Sequence, residues 1–77
     1  MWIRTQDKSR MYNVKRLEIQ YFNYEICITG DDWLLGKYST EEKAMKVMDM
    51  LQWSLDDGVV EMPLDDDVEE LYNSYDI

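Results

Sequence analysis

The alternation of hydrophobic and polar positions changes period along the chain. Over residues 2–38 apolar and polar side chains mostly alternate, the two-residue repeat of strands with one buried face. Over residues 40–55 they recur at three and four, the repeat of an amphipathic helix. A second helical repeat begins after Pro63.

The first alternation predicts a short strand over 2–6, with Trp2 and Arg4 on one face and Ile3 and Thr5 on the other. Asp7-Lys8-Ser9-Arg10 is a polar turn. A second strand is predicted from about Met11 to Gln20, where Leu17, Ile19 and Tyr21 alternate with Glu18 and Gln20. Tyr12 and Val14 have the opposite parity, which predicts a bulge or break near Lys15-Arg16. Phe22-Asn23 makes a tight connection to a third strand over 24–29, with Tyr24, Ile26 and Ile28 facing away from Glu25, Cys27 and Thr29. Gly30-Asp31-Asp32 predicts a hairpin turn, because Gly and Asp tolerate positive φ. A fourth strand over 33–38 follows.

Ser39 with Glu42 three residues on forms a capping-box pattern, and Thr40 is an equally good cap one residue later. Glu41 and Glu42 suit the positive end of the helix dipole, and Glu42 is placed to pair with Lys46. Gly58, after Asp56-Asp57, is the expected terminator. At ~100° per residue, Ala44, Val47, Met48, Leu51 and Leu55 form the core stripe. Glu42, Lys46, Asp49 and Asp56 lie opposite, together with Trp53, and Met50 lies on the flank beside it. An indole on a polar face needs cover from the C-terminal tail, a second copy or a partner.

Val59-Val60-Glu61-Met62 predicts a fifth short strand, ended by Pro63. In the acidic, aromatic tail over 64–77, Asp65, Asp66 and Asp67 suit a helix N-terminus, and Val68, Leu71, Tyr72 and Tyr75 stand at i, i+3, i+4 and i+7. A helix this short needs docking to persist. The expected architecture is a single α+β domain over 1–77: a small antiparallel sheet of four to five strands, one main helix packed across it and a short C-terminal helix. A chain of 77 residues buries only about 60% of its unfolded surface, so each large apolar side chain matters.

Charge divides the chain. All eight basic residues lie at or before Lys46, and residues 1–46 sum to +1. Residues 47–77 carry ten acids and no base, within a total of −9. Direct nucleic-acid binding is disfavoured by that balance, since phosphate neutralisation supplies most of such affinity. Arg4, Lys8, Arg10, Lys15 and Arg16 do interleave with Trp2 and Tyr12, and scattered strand-surface charge accounts for them better than a stacking platform does.

The chain has no histidine, so Ser-His and Cys-His pairs are absent and the expectation is a non-enzyme. Cys27 stands at a mid-strand position, and one Cys without His does not make an ordinary zinc site. The aspartate clusters lack the spacing of a calcium loop and there is no Gly-rich phosphate loop, so no metal or cofactor is expected. A single cysteine, no apolar leader and no run near the ~20 residues of a membrane span predict a soluble cytoplasmic protein.

Met1-Trp2-Ile3-Arg4 with Gln6-Asp7-Lys8, Leu35-Gly36-Lys37-Tyr38-Ser39-Thr40-Glu41-Glu42-Lys43-Ala44, and Asp49-Met50-Leu51-Gln52 together resemble a family of short uncharacterised proteins from prophages and mobile elements of Gram-positive bacteria. The likeness spans most of residues 1–63, while the acidic tail after Pro63 is longer than the family suggests. It implies an accessory protein of phage origin acting in the host bacterial cytoplasm, with no activity carried over residue by residue.

If residues 65–70 are helical, Asp65, Asp66, Asp67, Glu69 and Glu70 place a charge about every 1.5 Å, close to the ~1.7 Å of duplex DNA. By itself that spacing also fits an acidic solubilising tail; with the resemblance to phage proteins it implies inhibition of a host defence nuclease, in the manner of an anti-CRISPR protein, through a nucleic-acid-mimicking face. That face comprises Trp53, Asp56, Asp57, Glu61, Asp65, Asp66, Asp67, Glu69, Glu70 and Tyr72. The alternative is a structural or regulatory phage module, monomeric or dimerising through Trp53 and Met50 or a strand edge. A weaker third reading is an aromatic pocket for a small signalling molecule.

Overall fold

A computed structural model describes residues 1–54 and 58–74. The elements in order are β1 (Trp2–Arg4), β2 (Met11–Asn13), β3 (Leu17–Phe22), β4 (Glu25–Gly30), β5 (Trp33–Tyr38), α1 (Glu41–Trp53), β6 (Val59–Glu61), a 3₁₀ turn (Asp65–Asp67) and α2 (Val68–Ser74). The class is α+β as expected, but the sheet is not one meander. The strands form two three-stranded sheets, ordered β2-β1-β6 and β3-β4-β5. The pairing of β1 with β6 is parallel, and the other three pairings are antiparallel.

The expected second strand is divided because its two halves have opposite parity. Val14, 2% exposed, turns into the core immediately after β2. Lys15 and Arg16 then donate their backbone N–H groups to the two carboxylate oxygens of Asp31, at 3.0 and 2.9 Å. A side chain thus replaces the strand partner there, and β3 starts afresh in the second sheet.

Both hairpins of the second sheet close on two residues at positive φ, the pattern of a type I′ turn. In one they are Asn23 and Tyr24, one residue later than the expected connection, so Tyr24 leaves the strand and is fully exposed. In the other they are Asp31 and Asp32. Gly30 itself is needed for space: a Cβ there would stand 2.8 Å from Val14 Cγ1 and 3.0 Å from Leu35 Cδ1. A register shift between Ile28 and Thr29 skips Leu35, which is buried together with its neighbour Gly36.

Helix α1 is capped by Thr40, whose Oγ1 accepts from the Lys43 N–H at 3.1 Å. Ser39 is not the cap. Its N–H and hydroxyl donate instead to Asp65, at 2.8 and 3.2 Å, so the Ser39–Glu42 box does not form. The helix ends at Trp53, with the Ser54 N–H donating to Met50 and Leu51 carbonyls. Leu55, Asp56 and Asp57, expected to continue it, lie outside the described residues, and Gly58 takes the left-handed backbone that leads into β6.

One core joins both sheets and both helices: Ile3, Val14, Ile28, Leu35, Tyr38, Ala44, Val47, Met50, Leu51, Met62 and Val68. Met50, expected on the flank, is buried, while Met48 is only partly so. The physical reason is that α1 is covered from two directions. It packs on β4 and β5 with one face and on α2 with another, so the buried stripe is wider than a single sheet would make it. No helix among the described residues is long and apolar enough to cross a membrane.

Candidate functional site

The predicted acidic edge is brought together only in part, because α1 takes up some of its charge. Asp65 binds the Ser39 N–H and hydroxyl and pairs with Lys43 Nζ at 3.4 Å. Burial raises its pKa, but the Ser39 hydrogen bonds and the Lys43 charge outweigh that and hold it below the usual carboxylate range. Glu69 pairs with Lys46 at 2.6 Å, and the same ammonium reaches Glu42 at 3.4 Å. Both Asp65 and Glu69 therefore fasten the tail to α1.

Tyr72 completes this contact. Lys46 Nζ lies 5.3 Å from the Tyr72 ring centroid, within cation–π range. Trp53 also meets that ring, 5.5 Å away and tilted by 34°. The indole on the polar face of α1 is thus partly covered by the C-terminal tail, with 51% of the residue still exposed. Lys46, on the nominally polar side, is half-buried by the same contacts with Glu69 and Tyr72.

Glu61, Asp66, Asp67 and Glu70 are exposed and make no ion pair among the described residues. Asp56 and Asp57 lie outside those residues. The helical expectation for 65–70 is also altered, since Asp65–Asp67 form a 3₁₀ turn and α2 begins at Val68. With a rise of ~2.0 Å for the turn and ~1.5 Å for the helix, residues 65–70 span roughly 10 Å. Three unpaired carboxylates over that length give one charge per roughly 3.5 Å, near the ~3.4 Å of one DNA strand and half the density of the duplex.

A groove of about 610 Å³ runs beside these carboxylates, bordered by Lys8, Trp53, Glu61, Leu64, Asp67 and Leu71. Leu64 and Leu71 are each more than 40% exposed along it. An apolar strip with acids on its margin is suited to an apolar or aromatic side chain flanked by basic residues.

Cys27 is buried within the second sheet, and burial, then the nearby Glu25 charge, pushes its thiol pKa up, which keeps it protonated at neutral pH. Among the described residues no group of three or more His, Cys, Asp or Glu side chains is placed to hold a metal ion. Neither a family model, a curated protein nor a solved structure matches the chain.

Two features of the site had no local signal. The Gln6 side chain bonds Lys37 and Pro63, 31 and 57 positions away. The Tyr38 hydroxyl donates to the Pro63 carbonyl at 2.7 Å, fixing the start of the acidic tail against β5. Burial first, and then the Asp65 charge, pushes the Tyr38 pKa up. Alternation alone marks Tyr38 as a strand residue and is silent on what its hydroxyl holds.

Proposed function

We propose that this is a non-catalytic binding protein that docks its C-terminal acidic edge on a basic, nucleic-acid-binding surface of a partner protein. Asp66, Asp67 and Glu70 supply the charge, with Glu61 also bordering the groove, and Trp53 and Leu71 supply apolar contact. The observation that carries this reading is the division of labour among the tail carboxylates: Asp65 and Glu69 are paired with α1, while these others stand exposed without a basic partner among the described residues. Fixed, unneutralised charge steers a basic partner and is sensitive to ionic strength. The resemblance to prophage proteins directs the proposal towards inhibition of a host defence nuclease in the bacterial cytoplasm, a CRISPR effector being the natural target.

The test is pull-down from bacterial lysate at low and high salt, followed by the Asp66→Asn/Asp67→Asn/Glu70→Gln variant. Capture of a nucleic-acid-binding protein that is lost in high salt and in the variant supports the reading. Capture unchanged by that triple substitution overturns it.

A second reading, a phage module acting as a dimer, is favoured by a different surface from the one expected. Met50 is buried and unavailable, but Trp2, Met11 and Val59 are each nearly half exposed on the outer face of the first sheet. Arg4 and Glu61 are register partners on that face, so a two-fold copy sets opposite charges across it. Sedimentation at micromolar concentration distinguishes a dimer, abolished by Trp2→Lys, from a monomer.

A further inference from the structure

A second groove, of about 550 Å³, lies where the turn after β1 and strand β2 meet the edge of β5. Tyr12 and Trp33 stack at its margin with centroids 4.8 Å apart and planes 9° from parallel. Tyr12 takes one face of the indole, and half of Trp33 stays open to solvent. The Arg10 guanidinium is fixed beside this pair by donating to the Tyr12 hydroxyl at 3.2 Å, which leaves its other N–H donors available. Lys37 borders the same groove, but it is the register partner of Cys27 and its ammonium pairs with Glu25 at 3.3 Å on the Cys27 face of the sheet, which leaves Arg10 as the cation beside the stack.

The groove's one acid is already engaged. Asp7 accepts from the Thr5 hydroxyl at 2.7 Å, from the Ser9 N–H at 3.0 Å and from the Ser9 hydroxyl at 2.7 Å. Arg10 therefore faces no unengaged carboxylate in this groove, unlike the groove at the acidic edge, which Glu61 and Asp67 line. A volume of this size lies in the range of small-ligand sites, ~300–1,000 Å³.

The geometry points to a mononucleotide site in this groove, with the base on the Trp33–Tyr12 stack and the phosphate on Arg10. Stacking on an aromatic face tolerates any base, and a guanidinium with free N–H donors suits a phosphate dianion. A longer strand is opposed by the acidic half of the same small molecule, which is why a single nucleotide is the better fit. The site is separate from the acidic edge and does not depend on it.

The experiment is an NMR titration of the full chain with AMP, UMP, adenosine, inorganic phosphate and a hexanucleotide, following the Trp33 indole N–H. The expected result is that AMP and UMP both shift that resonance, with adenosine and phosphate each binding about tenfold or more weakly. Trp33→Ala and Arg10→Ala each weaken AMP about tenfold or more, Tyr12→Phe weakens it less, and Trp2→Ala leaves it unchanged. Arg10 is exposed, so its variant tests the site with the fold intact, as the unchanged amide spectrum will show. No Trp33 shift with millimolar AMP, phosphate alone binding as well as AMP, or Arg10→Ala binding AMP like the parent would each overturn the proposal. A hexanucleotide binding far more tightly than its per-nucleotide multiple overturns the small-ligand assignment in favour of a strand groove.

Discussion

The side-chain amide of Gln6 is built into the edge of β5 as though it were a peptide group of a further strand. Its Oε1 accepts from the Lys37 N–H at 2.9 Å, and its Nε2 donates to the Lys37 carbonyl at 3.0 Å. Nε2 also reaches the Pro63 carbonyl at 3.2 Å, and the Gln6 N–H donates to Leu35. One side chain thus links the end of the first strand, the edge of the second sheet and the start of the acidic tail.

Replacing Gln6 is expected to cost about 1–3 kcal/mol as Ala, because backbone groups on β5 and at Pro63 lose their partners together. Gln6→Glu should be worse than Gln6→Ala, since it turns an acceptor towards two carbonyl oxygens. Urea unfolding gives the comparison: a lowered midpoint with unchanged slope in that order supports the link, and a Glu variant as stable as the parent refutes it.

Asp7 sets a pH window. The Ser9 N–H, the Thr5 hydroxyl and the Ser9 hydroxyl hold its carboxyl down to about 2 from the ordinary 3.8. A carboxyl whose pKa is lower in the folded chain adds stability above its unfolded pKa and loses it as pH falls through the folded one. The stability gap between the parent and Asp7→Asn should therefore be constant from neutrality to about pH 5, shrink between 3.8 and about 2, and vanish below. Thermal unfolding of both proteins across that range checks it, and a gap that widens on acidification rejects it.

Gly30, at the end of β4, is closely approached by Val14, at the break in the divided strand. Gly30→Ala is expected to destabilise by about 1–3 kcal/mol, because both nearest neighbours are core side chains and not flexible ends. Val14→Ala removes the Cγ1 at 2.8 Å, so the double variant should be more stable than the two single losses predict, by about 0.5 kcal/mol or more. Strict additivity would show that the clash is relieved elsewhere.

Helix α2 has seven residues and is too short to stand alone, so its order depends on docking. Val68, fully buried, is its one core residue among those described. Val68→Ala should cost about 1–3 kcal/mol and strip amide-exchange protection from residues 68–74 before it affects β4 and β5. If protection is lost evenly along the chain, the tail is not a separate cooperative unit.

Most of the elements, and the class they make, are legible in the periodicities. Ile3 between Trp2 and Arg4, the Thr40 cap, the Asp31-Asp32 turn and the Ala44–Val47–Leu51 stripe all follow from interactions within a few residues, where spacing is itself geometry. The parity change at Lys15-Arg16 announces a break in the strand, though not that its two halves join different sheets. Which acids stay unpaired was not legible. Asp65, Asp66 and Asp67 are chemically alike and adjacent, and only the docking of the tail on α1 separates the one that holds Ser39 and Lys43 from the two that face solvent.

The chain's composition and repeats determined an α+β unit with its negative charge at one end, because alternation, capping and charge placement act locally. Tertiary structure alone decided the two-sheet split, the parallel entry of β6 beside β1, and the groove where Arg10 meets the Tyr12–Trp33 stack. Those arrangements join residues tens of positions apart, and no local repeat carries information about which distant backbone edge or side chain will complete a hydrogen bond or a core contact.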